Sequence, residues 1–135
     1  MQGPIPMISY ENGVAALEWL ARAFGFKERT RLLGDNGELA HAEMDAGGGI
    51  IMLATPSPDY EAPKRHRVHC EQARQWTRVP WVIDGVLVCV DNIEEHYARA
   101  KEAGATSLSG LESGPTGRRY RAEDLEGHRW MFMQE

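Results

Sequence analysis

Apolar residues along the chain follow strand and helix rhythms in one order, and that order runs twice. Ile5 to Tyr10 alternates as a first strand, with its prolines confined to the beginning. Val14, Leu17, Ala21 and Phe24 then recur at helical spacing, between Asn12 as an N-cap and Gly25 as a stop. Phe26 to Leu33 and Glu38 to Met44 read as two strands around the turn Gly34-Asp35-Asn36-Gly37. Gly47-Gly48-Gly49 leads into a further strand over Ile50 to Ala54. The order is β-α-β-β-β.

Residues 55–84 break this rhythm, opening with Thr55-Pro56-Ser57-Pro58 and closing with Pro80-Trp81. They read as a linker with one short helix over His66 to Trp76, aromatic enough to pack over a cavity mouth or a partner subunit. From Gly85 the first pattern returns: a strand on Val86, Val88 and Val90, and a helix capped by Asp91 or Asn92 with Glu94 or Glu95 three residues on. Gly104 ends that helix, and strands follow at about 106–112, 118–123 and 128–134. Asn12 and Asp91, Gly25 and Gly104, Asp45 and Asp124, Gly48 and Gly127, and Met52 and Met131 all stand 79 apart, as in 131 − 52. The same offset matches His41 to Tyr120. One such unit cannot close its own core, so two copies pair. The expected organisation is a single domain over 1–135, with a module at about 4–54, a linker at 55–84 and a module at about 85–135.

Composition narrows the function classes. Hydrophobic residues at 42% and charged residues at 26% describe a soluble globular chain. A net charge of −5 argues against nucleic acid as a partner, and no apolar run reaches the length of a membrane span. The opening Met-Gln-Gly-Pro-Ile-Pro lacks the order of a signal peptide, so a cytoplasmic location is expected, with Cys70 and Cys89 as free thiols.

The doubled unit, with Ala23-Phe24-Gly25-Phe26 after the first helix and Asp124-Leu125-Glu126-Gly127-His128-Arg129-Trp130 before the last strand, resembles the vicinal-oxygen-chelate superfamily. That group contains glyoxalase I, extradiol dioxygenases, fosfomycin- and bleomycin-resistance proteins and many uncharacterised glyoxalase-like members. The resemblance implies an α+β fold in which tandem βαβββ modules form a curled mixed sheet around a central cavity, and it implies a homodimer. Metal-dependent relatives place a ligand on the first and last strand of each module. Those positions fall here on Ile5, Met52, Gly85 and Met131, none of which suits zinc, nickel or another borderline cation. The expectation is no metal at that site and no cofactor. His66, His69 and Cys70 in the linker make a weaker local ligand pattern.

Alternation puts Met7, Ser9, Met52, Leu87, Cys89, Arg129 and Met131 on the cavity face, as candidate ligand-binding residues. Methionine-rich apolar walls suit a hydrophobic or aromatic small molecule. Arg129 is the arginine expected to clamp an anionic group, while Arg119 and Arg121 read as exposed arginines of an outer strand. His41 and Glu43 share a strand face, and with Tyr120 opposite they are the candidate catalytic acid–base set. Two functions remain open at this point. One is metal-independent binding of an apolar small molecule. The other is a lyase, isomerase or dioxygenase of the same superfamily, using His41, Glu43 and Tyr120 or a metal site placed elsewhere.

Overall fold

The computed structural model describes residues 3–135, so Met1 and Gln2, at the start of the segment read for a leader, lie outside it. The first half runs β1 (Met7–Ser9), α1 (Gly13–Phe24), β2 (Lys27–Leu33), β3 (Leu39–Ala46) and β4 (Gly49–Ala54). The second runs β5 (Gly85–Cys89), α4 (Ile93–Glu102), β6 (Thr106–Gly114), β7 (Gly117–Glu123) and β8 (Arg129–Gln134). Each half forms a four-stranded sheet, ordered β1-β4-β3-β2 and β5-β8-β7-β6. β1 lies parallel to β4 and β5 parallel to β8, while the other pairs are antiparallel. The fold is therefore α+β with two mixed sheets. Register shifts in β2/β3 and β6/β7 mark irregular pairing of the kind that bends an outer strand.

Local chemistry sets the helix ends. Asn12 Oδ1 accepts the Ala15 N–H at 3.0 Å, and Gly25 at φ 73° returns its own N–H to Ala21. Of the two expected caps in the second half, Asn92 takes the role: it accepts the Glu95 N–H at 3.1 Å and donates its amide to the Glu95 carboxylate at 3.3 Å.

The core lies where the two helices meet one face of both sheets. Ile51 and Leu53 from the first sheet and Trp130 and Phe132 from the second are buried there, as their alternation requires. Phe24 occupies the junction, with ring centroids 4.6 Å from Phe132 and 5.1 Å from Trp19, and Phe26 lies 5.4 Å from Trp130. The Ala23-Phe24-Gly25-Phe26 motif is thus the plug by which the first half enters the second. Trp19 Nε1 donates to the Ala103 carbonyl at 2.8 Å, and Arg99 Nε donates to the Arg22 carbonyl at 2.8 Å. The opposite sheet face stays open, with Met7, Leu32 and Leu87 82%, 63% and 53% exposed.

The linker holds two short helices instead of one, α2 (Pro63–His69) and α3 (Glu71–Trp76). Cys70 is extended at φ −126°, ψ 109°, which breaks the helical run between them. The linker folds onto the second half, where Lys64 N–H donates to the Glu126 carbonyl at 3.0 Å beside Gly127.

The 79-residue offset holds for β4 and β8 and fails by one residue for β3 and β7. Glu43 pairs with Met52, whereas Arg121 pairs with Met131, so the equivalents are Glu43 and Arg121, offset 121 − 43 = 78. His41 therefore corresponds to Arg119, and Tyr120 corresponds to Ala42. One residue of slip exchanges sheet faces. Tyr120 lies on the helix side, fully buried, instead of opposite His41.

Candidate functional site

The open face carries two cavities that share Asp84, Gly85, Val86, Arg129 and Trp130. One, of about 270 Å³, is walled by Pro80, Trp81 and Ile83 from the linker, Leu87 from β5, Leu108 from β6, Arg121 from β7 and Met131 from β8. The other, of about 360 Å³, is walled by Pro6 to Ser9, Tyr60 and His128. Their shared wall is where β5 begins.

Most expected ligand-binding residues reach this region. Met7 and Ser9 line the larger cavity, Leu87 and Met131 line the smaller, and Arg129 borders both. Met52 is the register partner of Met7 on the same open face but lines neither cavity. Cys89 also lies apart from them, exposed, with Sγ 4.0 Å from the Glu135 carboxylate.

Arg129 is not available as an anion clamp. It is 4% exposed, and all three guanidinium nitrogens are already engaged. Nε and Nη2 donate to Glu123 Oε2 at 3.1 and 2.9 Å, Nη1 donates to the Val79 carbonyl at 2.7 Å, and Nη2 donates to the Thr77 carbonyl at 2.5 Å. The side chain fastens the linker over β8. Arg67 of α2 completes this arrangement, donating to both Glu123 oxygens at 2.7 and 3.0 Å. Burial alone would raise the Glu123 pKa, but hydrogen bonds from Arg67 and Arg129 outweigh it and hold the carboxyl below the usual glutamate range.

A second buried carboxylate organises the last turn. Asp124 Oδ2 accepts the Tyr10 hydroxyl at 2.6 Å and Trp130 Nε1 at 3.1 Å, while Oδ1 accepts the backbone N–H of Glu126 and of His128, each at 3.0 Å. Burial first, then the Asp124 charge, pushes the Tyr10 phenol well up. His128 bridges the halves, with Nε2 2.7 Å from the Ser9 carbonyl.

The candidate acid–base set is only partly assembled. His41 Nε2 and Glu43 Oε2 are 3.1 Å apart on the open face. Tyr120 is absent from that face; its hydroxyl meets His96 Nδ1 at 2.5 Å, and His96 Nε2 meets the Phe24 carbonyl at 3.0 Å. Burial pushes the Tyr120 phenol up and the His96 imidazole down, which keeps this inner pair neutral.

The positions at which metal-dependent relatives place ligands offer no donor set here. Met52 stands opposite Met7, Met131 opposite Leu87, and Gly85 opposite Arg129. Thioether and backbone groups do not fit the hard or borderline cation that such chemistry needs. The linker pattern does not converge either, because His69 turns to the Glu61 carboxylate at 2.9 Å and Cys70 leaves the helix. Among the described residues, no three His, Cys, Asp or Glu side chains come together as a metal-binding group.

The sequence pattern missed Asp84, Leu108 and Arg121 as cavity residues, whereas the aromatic linker did point to Pro80 and Trp81. Arg121 was set aside as an outer arginine because its cover comes from a segment distant in the chain.

A doubled βαβββ frame with cavities on its open sheet face defines the glyoxalase and antibiotic-resistance class of fold. The profile of the Glyoxalase/Bleomycin resistance protein/Dioxygenase superfamily matches residues 7–132, and the chain belongs to that superfamily. Among solved structures it is similar to TioX from Micromonospora sp. ML1, with 31% identity, a TM-score of 0.72, and 99% of this chain and 96% of that chain covered. Its fold is also that of the bleomycin-binding protein from Streptomyces verticillus, complexed with copper(II)-bleomycin, at 14% identity and a TM-score of 0.60, over 100% of this chain and 97% of that one. An uncharacterized protein of Mycobacterium bovis is 27% identical, over 96% of this chain and 80% of its own length.

Proposed function

We propose that this protein binds an apolar or aromatic small molecule on its open sheet face without a metal at the superfamily's chelating positions. The observation that carries this reading is the cavity in which Trp81, Leu87, Leu108 and Met131 surround the start of β5. Its lining includes Met131 and Gly85, two of the positions where chelating relatives supply ligands. Proteins of this fold that hold an antibiotic provide a parallel in architecture.

A second copy of the chain is proposed to cover the same face, since Met7, Leu32 and Leu87 leave an apolar surface in water. Free Cys70 and Cys89 suit a reducing cytoplasm. The runner-up reading, an enzyme of the superfamily, rests on the His41–Glu43 pair.

The test is a thermal-shift screen of aromatic compounds, bleomycin, fosfomycin and catechols, run with a chelator and again with zinc, nickel or iron. Shifts that persist with the chelator are expected. Binding or turnover seen only with added metal would reverse the order of the two readings.

A further inference from the structure

We infer that the ligand of the smaller cavity carries an anionic group, a carboxylate, sulfonate or phosphate on an aromatic body, and that Arg121 holds it. This rests on the proposed small-molecule binding and adds the ligand's charge. Arg121 is the register partner of Met131, so its side chain leaves β7 on the open face, and its backbone N–H is fixed by Ser109 Oγ at 3.1 Å. It is half-buried against the cavity, yet its guanidinium has no hydrogen-bond or ion-pair partner among the described residues.

Arg67 and Arg129 share the single carboxylate of Glu123, Arg118 is paired with Glu94, and Arg119, likewise without an ion-pair partner among the described residues, lies outside this cavity. Asp84, the other charged group on this cavity besides Arg129, lies beyond ion-pair distance of Arg121. The cavity thus carries a cationic group, Arg121, and an acidic one, Asp84, that are not paired with each other, together with the apolar Trp81, Leu87 and Met131, the last two level with Arg121 across the sheet. A partly desolvated guanidinium without a counter-ion binds an oxyanion through its fork of N–H donors more strongly than an exposed one does. Trp81 offers an aromatic face for the body of the same ligand.

Two dyes with one aromatic skeleton separate charge from hydrophobicity: 8-anilino-1-naphthalenesulfonate, and N-phenyl-1-naphthylamine, which lacks the sulfonate. Fluorescence titrations at low salt would use the unmodified chain, Arg121→Gln, Arg121→Lys and Arg119→Gln, each first shown to unfold at the same temperature. The sulfonate dye is expected to bind at least roughly tenfold more tightly than the neutral dye, the difference a charge-assisted hydrogen bond supports. Arg121→Gln should remove that preference and leave the neutral dye unchanged. Arg121→Lys should keep part of it, and Arg119→Gln all of it. A preference that survives Arg121→Gln, or falls equally in Arg119→Gln, overturns the assignment to Arg121. Neutral-dye binding without any sulfonate advantage overturns the anion inference alone, whereas binding of neither dye overturns the apolar-ligand reading with it.

Discussion

Arg129 and Glu123, register partners across β7 and β8, form an ion pair almost sealed from solvent, with Nη2 2.9 Å from Oε2 and both side chains 3% exposed. Arg67 still holds both Glu123 oxygens when Arg129 is removed, so the carboxylate keeps a counter-ion and the loss is that of charge-assisted hydrogen bonds, about 1.5–3 kcal/mol. Arg129→Met should therefore lower the free energy of unfolding by that order in urea titrations, and it should expose Thr77 to Val79 to proteolysis. A loss below about 1 kcal/mol would show that the linker is held by other contacts.

Acid should act on the same carboxylate. Its folded pKa lies below the unfolded value, so the stability it contributes is fully present above the ordinary glutamate value, roughly 4.3. That contribution is lost as pH falls through the lower folded value. Unfolding free energies measured between pH 6 and pH 3 should decline in the acid limb, and Glu123→Gln should flatten that decline. Equal slopes in both proteins would contradict this account.

Gly48 and Gly127 share nearly the same backbone, φ +88° and +90°, but differ in surroundings. A Cβ on Gly48 meets nothing within 4 Å, while one on Gly127 would lie 2.7 Å from the Lys64 nitrogen of the linker. Gly48→Ala should cost about 1–2 kcal/mol from the left-handed conformation alone. Gly127→Ala should cost a further ~1–3 kcal/mol from overpacking against rigid backbone. Calorimetry of the two variants tests the difference, and equal melting temperatures would refute it.

Tyr10 and Asp124 join the first strand to the last turn through a 2.6 Å hydrogen bond. Tyr10→Phe should lower stability by about 1–3 kcal/mol, a hydrogen bond to a buried charged acceptor. In an Asp124→Asn background the same change should cost measurably less, because neighbouring sites in one network couple. Strict additivity across the double-mutant cycle would separate the two residues energetically.

Leu32, 63% exposed on β2 and away from both cavities, tests the proposed second copy. Leu32→Glu should change monomer stability by less than about 0.5 kcal/mol, as surface substitutions do. Sedimentation equilibrium should nevertheless show weaker self-association. A monomer at high concentration before substitution would remove the dimer proposal.

Much of the fold was legible because its signals are local. Asn12 and Gly25 mark one helix through backbone groups within a few residues, and Trp130 and Phe132 alternate with Met131 along one strand. His41 and Tyr120 were mismatched because the two turns between the third and fourth strands differ by one residue, a change invisible to a fixed offset and sufficient to reverse faces. Arg129 was misread for a different reason. Its partners are Glu123 across a turn and two carbonyls some fifty residues earlier, and neither helix nor strand periodicity reports such neighbours. The linker's break at Cys70, where the backbone turns extended between two helices, was not specified by apolar spacing.

The way into the smaller cavity follows from where the linker is tied. Arg67, Thr77 and Val79 are fastened to Glu123 and Arg129, residues of the same strands that make the cavity floor. At that end the roof is tied directly to the floor. Beyond Val79 the roof has no such tie among the described residues, and Trp81 at its edge is 69% exposed. A ligand would enter past Trp81, with the anchored end behaving as a closed back wall, so exchange rates should respond to substitution of Trp81 more than to any change at Arg67.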